Sequence, residues 1–449
     1  MQTELRLPLS EQYSPQQLAR IRQNMDADLL LTGSYAADGA GRLHISIFVL
    51  DVQTGSQRAL ASVAGSPGEL FGLVARTGRD LRRQLGLAEL SSAQQAELRA
   101  SRPANPQLAQ LYAQGRERLR HFDAVGARPL LEQVATGDVD YPLGHLAMAE
   151  VWTQLGYEEK AKAEAKRAFE LASNLPREDR HLIEAKYREA SKDWDKAITL
   201  YRSLQTFFPD ALDYGLALAS AQQSSGDIAA AQTTLRELRA RLPRAGSDPR
   251  VDILQAKLTL DGGDPMAALA LFDKATRQGE DNGAPLLIAR ARLEAAYALE
   301  STGQHDRALQ YAKTAQDLFA GAGDRGAAAD ALMAMGAAYM FQGAFGRALE
   351  TADDALALLL EIQNSSLSAA HLCNMAQLLA KRGDLALARS RAEGGLLLAR
   401  ELGLKETIGG NYLIIGWISL LQGQPDQALR AYAQAETIFN ELADPRMIA

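Results

Sequence analysis

The chain has 449 residues, of which 47% are hydrophobic and 23% charged, with a formal net charge of −7. That composition excludes a disordered chain, and the mild acidic excess leaves no basic stripe of the kind nucleic acid requires. The single cysteine, Cys373, excludes an intrachain disulfide and suits a reducing compartment. The N-terminus has no basic segment followed by an apolar core, so it does not read as a signal peptide. The longest apolar run, Tyr412 to Leu421, is about half of the ~20 residues a membrane span needs. The expectation is a soluble, cytoplasmic protein.

Ser14-Pro15 opens a helix carrying Leu18, Ile21 and Met25. Asp28 to Tyr35 reads as a strand, and Asp38 to Gly41 as a hairpin turn whose glycines tolerate positive φ. From Leu43 the residues alternate: Leu43, Ile45, Ile47 and Val49 on one face, His44, Ser46, Phe48 and Leu50 on the other. This predicts a second strand with both faces partly covered. After a turn at 51–55, Gln57 to Val63 forms a third strand, and Ser66-Pro67 caps a helix with Leu70, Leu73, Val74, Thr77, Leu81 and Leu85 at helical spacing. Residues 88–105 are polar, with prolines at 103 and 106 around a short helix, and read as a linker.

From there one phrase recurs, a glycine followed five residues later by an alanine. It runs Gly263 and Ala268, Gly303 and Ala308, Gly343 and Ala348, Gly383 and Ala388, Gly423 and Ala428, each copy forty residues after the last. Each unit also has a small residue twelve positions before its alanine and another seven after it. Small residues there let two antiparallel helices approach closely, with the glycine turning between them. The pattern is similar to the tetratricopeptide repeat (TPR), whose usual period is 34. A period of forty predicts that the second helix of each pair is lengthened. Earlier units keep the shorter period, since Ala197 to Ala231 and Pro209 to Pro243 are both 34 residues apart; units around Ala161 and Ala127 precede them. The expected fold is mainly α: a TPR superhelix of about nine helix pairs over 106–441, preceded by a small α/β domain. Residues 442–449 would be a terminal stub or cap, with Asp444 in register with Asp324.

Two stretches resemble a known family more specifically. The run from Ala27 to Leu87 is similar to the second half of the TolB-like domain of bacterial multidomain regulators, with a strand ending Gly33-Ser34, a hairpin, a strand ending at Asp51 and Thr54-Gly55, and a helix opening Glu69-Leu70-Phe71. The family's earlier strand has no clear counterpart, so either the chain starts inside that domain or the strand is degenerate around Leu5–Leu9. Residues 175–216, from Leu175-Pro176 to Leu216, resemble the region behind the catalytic domain of bacterial eukaryotic-like serine/threonine kinases. The resemblance implies the non-catalytic sensing or docking half of such a signalling protein. Similar halves also follow winged-helix domains, giving an alternative as the effector arm of a transcription regulator; a fragment of a full-length kinase is a third context. In membrane-tethered relatives this half lies outside the cytoplasm.

No residue set reads as catalytic. The motifs of a protein kinase are missing: no His-Arg-Asp, no Asp-Phe-Gly, no Val-Ala-Ile-Lys. Gly321 to Gly326 matches G-x-G-x-x-G, but it follows a helix and falls between two repeats, so it reads as a turn with Asp324 as the next N-cap. His181 and Glu184 are a helical pair read as a solvated face, and Cys373 as a buried or groove-lining thiol. No metal or cofactor is expected.

What remains is binding. In a TPR superhelix the first helix of each pair lines the concave groove. Mapping its exposed places onto the forty-residue units gives Lys257, Arg290, Tyr297, Met340 with Phe341, Asn374, Gln377, Lys381, and Leu413 with Trp417. An aromatic groove with a few cations suits an extended or helical peptide of a partner protein. The sheet edge and the terminal repeat are candidate self-association surfaces.

Overall fold

The computed structural model describes residues 28–442 apart from 247, together with Ser14 and Leu18, and only the backbone at 58–60, 243 and 244. The first predicted helix, apart from those two residues, the segment around Leu5–Leu9 and residues 443–449 lie outside the described residues.

Three antiparallel strands follow one another as a meander: β1 (Leu29–Ala37), β2 (Leu43–Asp51) and β3 (Gln57–Gly65). The β1–β2 hairpin closes on Asp38, whose carboxylate accepts the backbone N–H groups of Ala40 and Arg42, each at 2.9 Å. Its His44 partner, with Nε2 also 2.9 Å away, helps hold the Asp38 carboxyl down at about 2. Helix α1 (Leu70–Gln84) lies across β3, burying Leu73 completely. A Cβ on Gly65 would come within 2.9 Å of the Leu73 side chain, so a larger residue there would have to displace it. The chain turns into α1 at Ser66, whose backbone N–H and hydroxyl both donate to Glu69 at 3.0 Å. β1 leaves Leu29, Leu31 and Tyr35 exposed.

The segment expected to be a linker contains α2 (Ser92–Ala100) and is laid against its neighbours. Arg102 sits 4.9 Å over the Phe71 ring, and the Ala104 N–H donates to Asp138 at 2.7 Å. It thereby ties α1 to the start of the array.

Eighteen helices then form nine antiparallel pairs. The first four are α3 (Pro106–Arg120) with α4 (Ala124–Gly137), α5 (Pro142–Gln154) with α6 (Glu158–Leu171), α7 (Arg177–Ala190) with α8 (Trp194–Phe207), and α9 (Leu212–Ser224) with α10 (Ile228–Arg241). The last five are α11 (Pro249–Asp261) with α12 (Pro265–Asp281), α13 (Pro285–Ser301) with α14 (His305–Ala322), α15 (Arg325–Phe341) with α16 (Phe345–Glu361), α17 (Ser365–Arg382) with α18 (Leu385–Glu401), and α19 (Lys405–Leu421) with α20 (Pro425–Leu442).

The five recurrent glycines sit between the helices of a pair with φ of 72–98°, and a Cβ on any of them would meet nothing within 4 Å. Glycine is there for its left-handed backbone, and space is not the reason. The five alanines are at most 1% exposed, at the crossing of the two helices. A larger side chain there would force the pair apart.

The longer period is shared differently from the expectation. In the fourth pair the helices have 13 and 14 residues, whereas from α12 onward every helix, first or second, has 17 or 18. Each member has gained about one turn. Equal helices keep apolar faces matched along their whole length, whereas lengthening one alone would leave its last turn without a partner. A second series of turns, midway between the first, carries Gly283, Gly323, Gln363 and Gly403, all at positive φ.

The superhelix also meets itself. The turn between α5 and α6 abuts the start of α15, where a Cβ on Gly326 would lie 2.4 Å from the Leu155 carbonyl oxygen. Tyr157 packs on the cluster of Ala329, Leu359 and Ile362. Lys192, in the turn between α7 and α8, pairs with Glu158 at 2.8 Å and reaches Ser366 at 3.3 Å.

Candidate functional site

The first helices of the first five pairs, α3, α5, α7, α9 and α11, together line a cavity of ≈ 640 Å³. Its apolar wall includes Leu119, Phe122, Leu182, Leu216, Ile253 and Leu254. Several of its polar and charged groups are held by partners one repeat away. Arg116 pairs with Glu150, the Tyr214 hydroxyl donates to Glu178 at 2.6 Å, Arg250 donates to Asp213 at 2.7 Å, and Lys257 donates to Glu294 at 3.1 Å. The next rung is the Tyr297 hydroxyl donating to Asp330 at 2.5 Å. Partners in these rungs stand 33 to 37 residues apart, the spacing that brings neighbouring first helices side by side.

Electrostatics follow from this pairing. Burial acts to lower the Lys186 ammonium, but Glu189, Tyr201 and Glu150 outweigh it and hold it above the usual lysine range. Burial and the Asp330 charge raise the Tyr297 phenol, which stays a donor. The lining thus presents apolar surface interrupted by ion pairs and hydrogen-bonded polar groups.

Of the expected groove residues, Lys257 lines this cavity. Arg290 lies beyond it on α13, 5.6 Å over the Phe319 ring. Tyr297, Met340 and Trp417 are half-buried against the clusters between repeats. Asn374 is exposed and Gln377 half-buried on α17; Lys381 is exposed, 5.6 Å over the Phe341 ring, which in turn stacks on His305. These side chains extend along the later units and are not gathered around the cavity.

The cavity residues of the first four units fall outside the forty-residue register that places the groove candidates. The signal was in the sequence: Arg116 and Glu150, or Asp213 and Arg250, are opposite charges about one repeat apart at groove positions.

Gly321 to Gly326 spans the end of α14, the turn at Gly323 and Asp324, and the start of α15. Gly323 is left-handed with φ of 78°, and Asp324 accepts the Ala327 N–H at 3.0 Å. Among the described residues no group of three or more His, Cys, Asp or Glu could hold a metal ion, and no helix is long and apolar enough to cross a membrane. Burial pushes the Cys373 thiol up to about 11, away from the thiolate that reactivity needs.

No protein-family model and no curated protein matches the sequence. Solved structures do match the fold. A Rap protein complexed with Competence and Sporulation Factor aligns with a TM-score of 0.56 at 16% identity, covering 75% of this chain and 98% of that one. Aspartyl phosphate phosphatase F from Bacillus subtilis aligns at 0.47 and 13%, covering 81% and 97%. A signal transduction ATPase with a tetratricopeptide repeat sensor, from Pyrococcus horikoshii, aligns at 0.43 and 14%, covering 66% and 54%. The chain has a TPR-like helical-repeat fold.

Proposed function

We propose that the protein is a non-catalytic docking scaffold that holds an extended peptide segment of a partner protein in the cavity between α3 and α11. The observation that carries this reading is the cavity itself, large enough for several side chains, apolar at its wall and edged by polar rungs. A peptide brings apolar side chains for the wall and backbone groups for the rungs. The Rap protein of similar fold was solved complexed with Competence and Sporulation Factor, which supports this use of the fold by analogy. The later groove positions, Arg290 to Trp417, would extend the contact toward longer partners.

The resemblance of residues 27–87 to a TolB-like domain and of 175–216 to kinase-associated repeats supports a role as the docking half of a bacterial signalling protein of the serine/threonine kinase type, working in the cytoplasm. A phage-displayed random peptide library panned on the full chain, followed by calorimetric titration of an enriched peptide, tests the site. Tyr214→Ala and Lys257→Glu should each weaken that peptide about tenfold, roughly 1.4 kcal/mol. Unchanged affinity in both, or no enrichment, would overturn the cavity as the docking surface.

A further inference from the structure

Most turns of the array place glycine where the backbone is left-handed, but three hold a side chain there: Phe122 with φ of 62°, Lys192 with 58° and Gln363 with 55°. Among the described residues these are the non-glycine positions at positive φ. All three lie where the superhelix meets itself. Phe122, between α3 and α4, packs on the clusters built by α11 to α15. Lys192 bridges to Glu158 and Ser366. Gln363 is flanked by Ile362, buried beside Tyr157, and by Asn364, which donates to the Gly156 carbonyl. Side chains in a disfavoured backbone region persist where something else over-determines them, and here that is a contact between distant repeats.

Phe122 belongs to a second structure as well. It lines the cavity together with Leu119, Ile253 and Lys257. One residue in a strained turn is therefore both cavity wall and seam. We infer that closure of the superhelix along this seam assembles the cavity, so that a peptide in the cavity and the closed seam stabilise each other. This rests on the peptide-docking reading above and names how that site is regulated. When the seam parts, the turn carrying Phe122 leaves α11 to α15, and the wall it forms with Ile253 leaves with it. A ligand that binds the closed form better than the open form shifts the equilibrium by its difference in affinity, and opening the seam lowers its affinity to the same degree.

The test uses the full chain with spin labels at Glu159→Cys and Leu360→Cys, two exposed positions beside the seam, in a Cys373→Ser background. Pulsed electron–electron resonance reads the distance, and the library-selected peptide is the ligand. The parent should give one narrow, short distance. Gly326→Val should broaden and lengthen it and weaken the peptide about tenfold, although residue 326 is not on the cavity wall; excess peptide should restore the short distance. Asn364→Asp keeps the acceptor that caps α17 and removes the donor to Gly156, giving a milder variant should Gly326→Val not fold. A seam variant that opens without losing peptide affinity, or an unchanged distance in both variants, overturns the inference. The outcomes separate cleanly. If Tyr214→Ala and Lys257→Glu do not weaken the peptide, the cavity reading fails while the distances still report on the seam. If they do weaken it and the seam variants do not, regulation alone fails.

Discussion

The Asn364 side-chain amide donates from Nδ2 to the Gly156 carbonyl at 2.8 Å, across 208 residues of sequence. The same amide accepts the Leu367 N–H on Oδ1 at 3.0 Å, capping α17. One side chain thus starts a helix in the eighth repeat and fastens it to the second. Gly156 answers with a bare backbone: it is left-handed at φ of 79°, and a Cβ there would lie 3.3 Å from the Gly326 Cα. The contact is backbone against backbone, so its tolerance for added atoms is small.

That closeness predicts the effect of one methyl group. Gly326→Ala places its Cβ against the Leu155 carbonyl and should cost about 1–3 kcal/mol, since two turns must shift to admit it. Gly394, in the exposed middle of α18, has nothing within 4 Å of an added Cβ. Gly394→Ala should therefore stabilise by about 0.5–1 kcal/mol through backbone entropy. Urea midpoints of the two variants should move in opposite directions; movement in the same direction would refute the steric account.

Asp252 is fully buried on α11 between Arg239 of α10 and Lys274 of α12, each 2.7 Å away. It ties three consecutive helices at the point where the period changes from 34 to 40. Asp252→Ala leaves two cations facing each other, although both can turn partly to water. The expected loss is about 2–3 kcal/mol, at or just below the range for breaking a buried pair. Chemical denaturation measures it, and a loss below about 0.5 kcal/mol would show the pair to be structurally idle.

The Lys257–Glu294 rung predicts a coupling that can be measured. Lys257→Glu sets two carboxylates against each other across α11 and α13, and Glu294→Lys should restore the attraction in the double variant. A double-mutant cycle on stability should return about 1 kcal/mol for this half-exposed pair. Additive effects would mean the rung contributes nothing to holding the two repeats together.

Two histidines should tilt stability in opposite directions with pH. His145 is buried, which lowers its pKa, but Glu164 at 2.7 Å on Nδ1 and the Val139 carbonyl at 3.0 Å on Nε2 outweigh burial and leave it raised above 6.5. Its contribution is complete below the unfolded value of 6.5 and is lost as pH rises through the raised folded value. His371 is lowered below 6.5 by burial, with Nε2 against the Ala352 carbonyl. Its contribution is present above 6.5 and is lost as pH falls toward the depressed value. Replacing His145 by glutamine should flatten the alkaline slope, and His371→Gln the acid one. Identical pH profiles for both variants and the parent would contradict the two assignments.

The repeat architecture was legible because its causes are local. A left-handed turn favours glycine, a tight helix crossing favours alanine, and both leave a mark at a fixed spacing. Nine pairs follow from counting those marks. The division of the extra residues between both helices was harder to see, because the second series of turn glycines is broken by Gln363. The groove candidates illustrate a further limit: a register proposes which positions line a groove, yet Tyr297 and Trp417 are half-buried against the clusters between repeats.

By itself, then, the sequence determined the small three-stranded sheet, the array of paired helices and their turns, since each rests on a few neighbouring residues. Only the tertiary structure decided where the array meets itself and where along the groove a cavity forms. Those depend on the angle accumulated over many stacked repeats, to which every helix crossing adds a little. No short stretch of residues encodes that sum. Its trace in the chain is three non-glycine residues in the left-handed region, Phe122, Lys192 and Gln363, of which Phe122 and Lys192 touch distant repeats themselves and Gln363 lies between two residues that do.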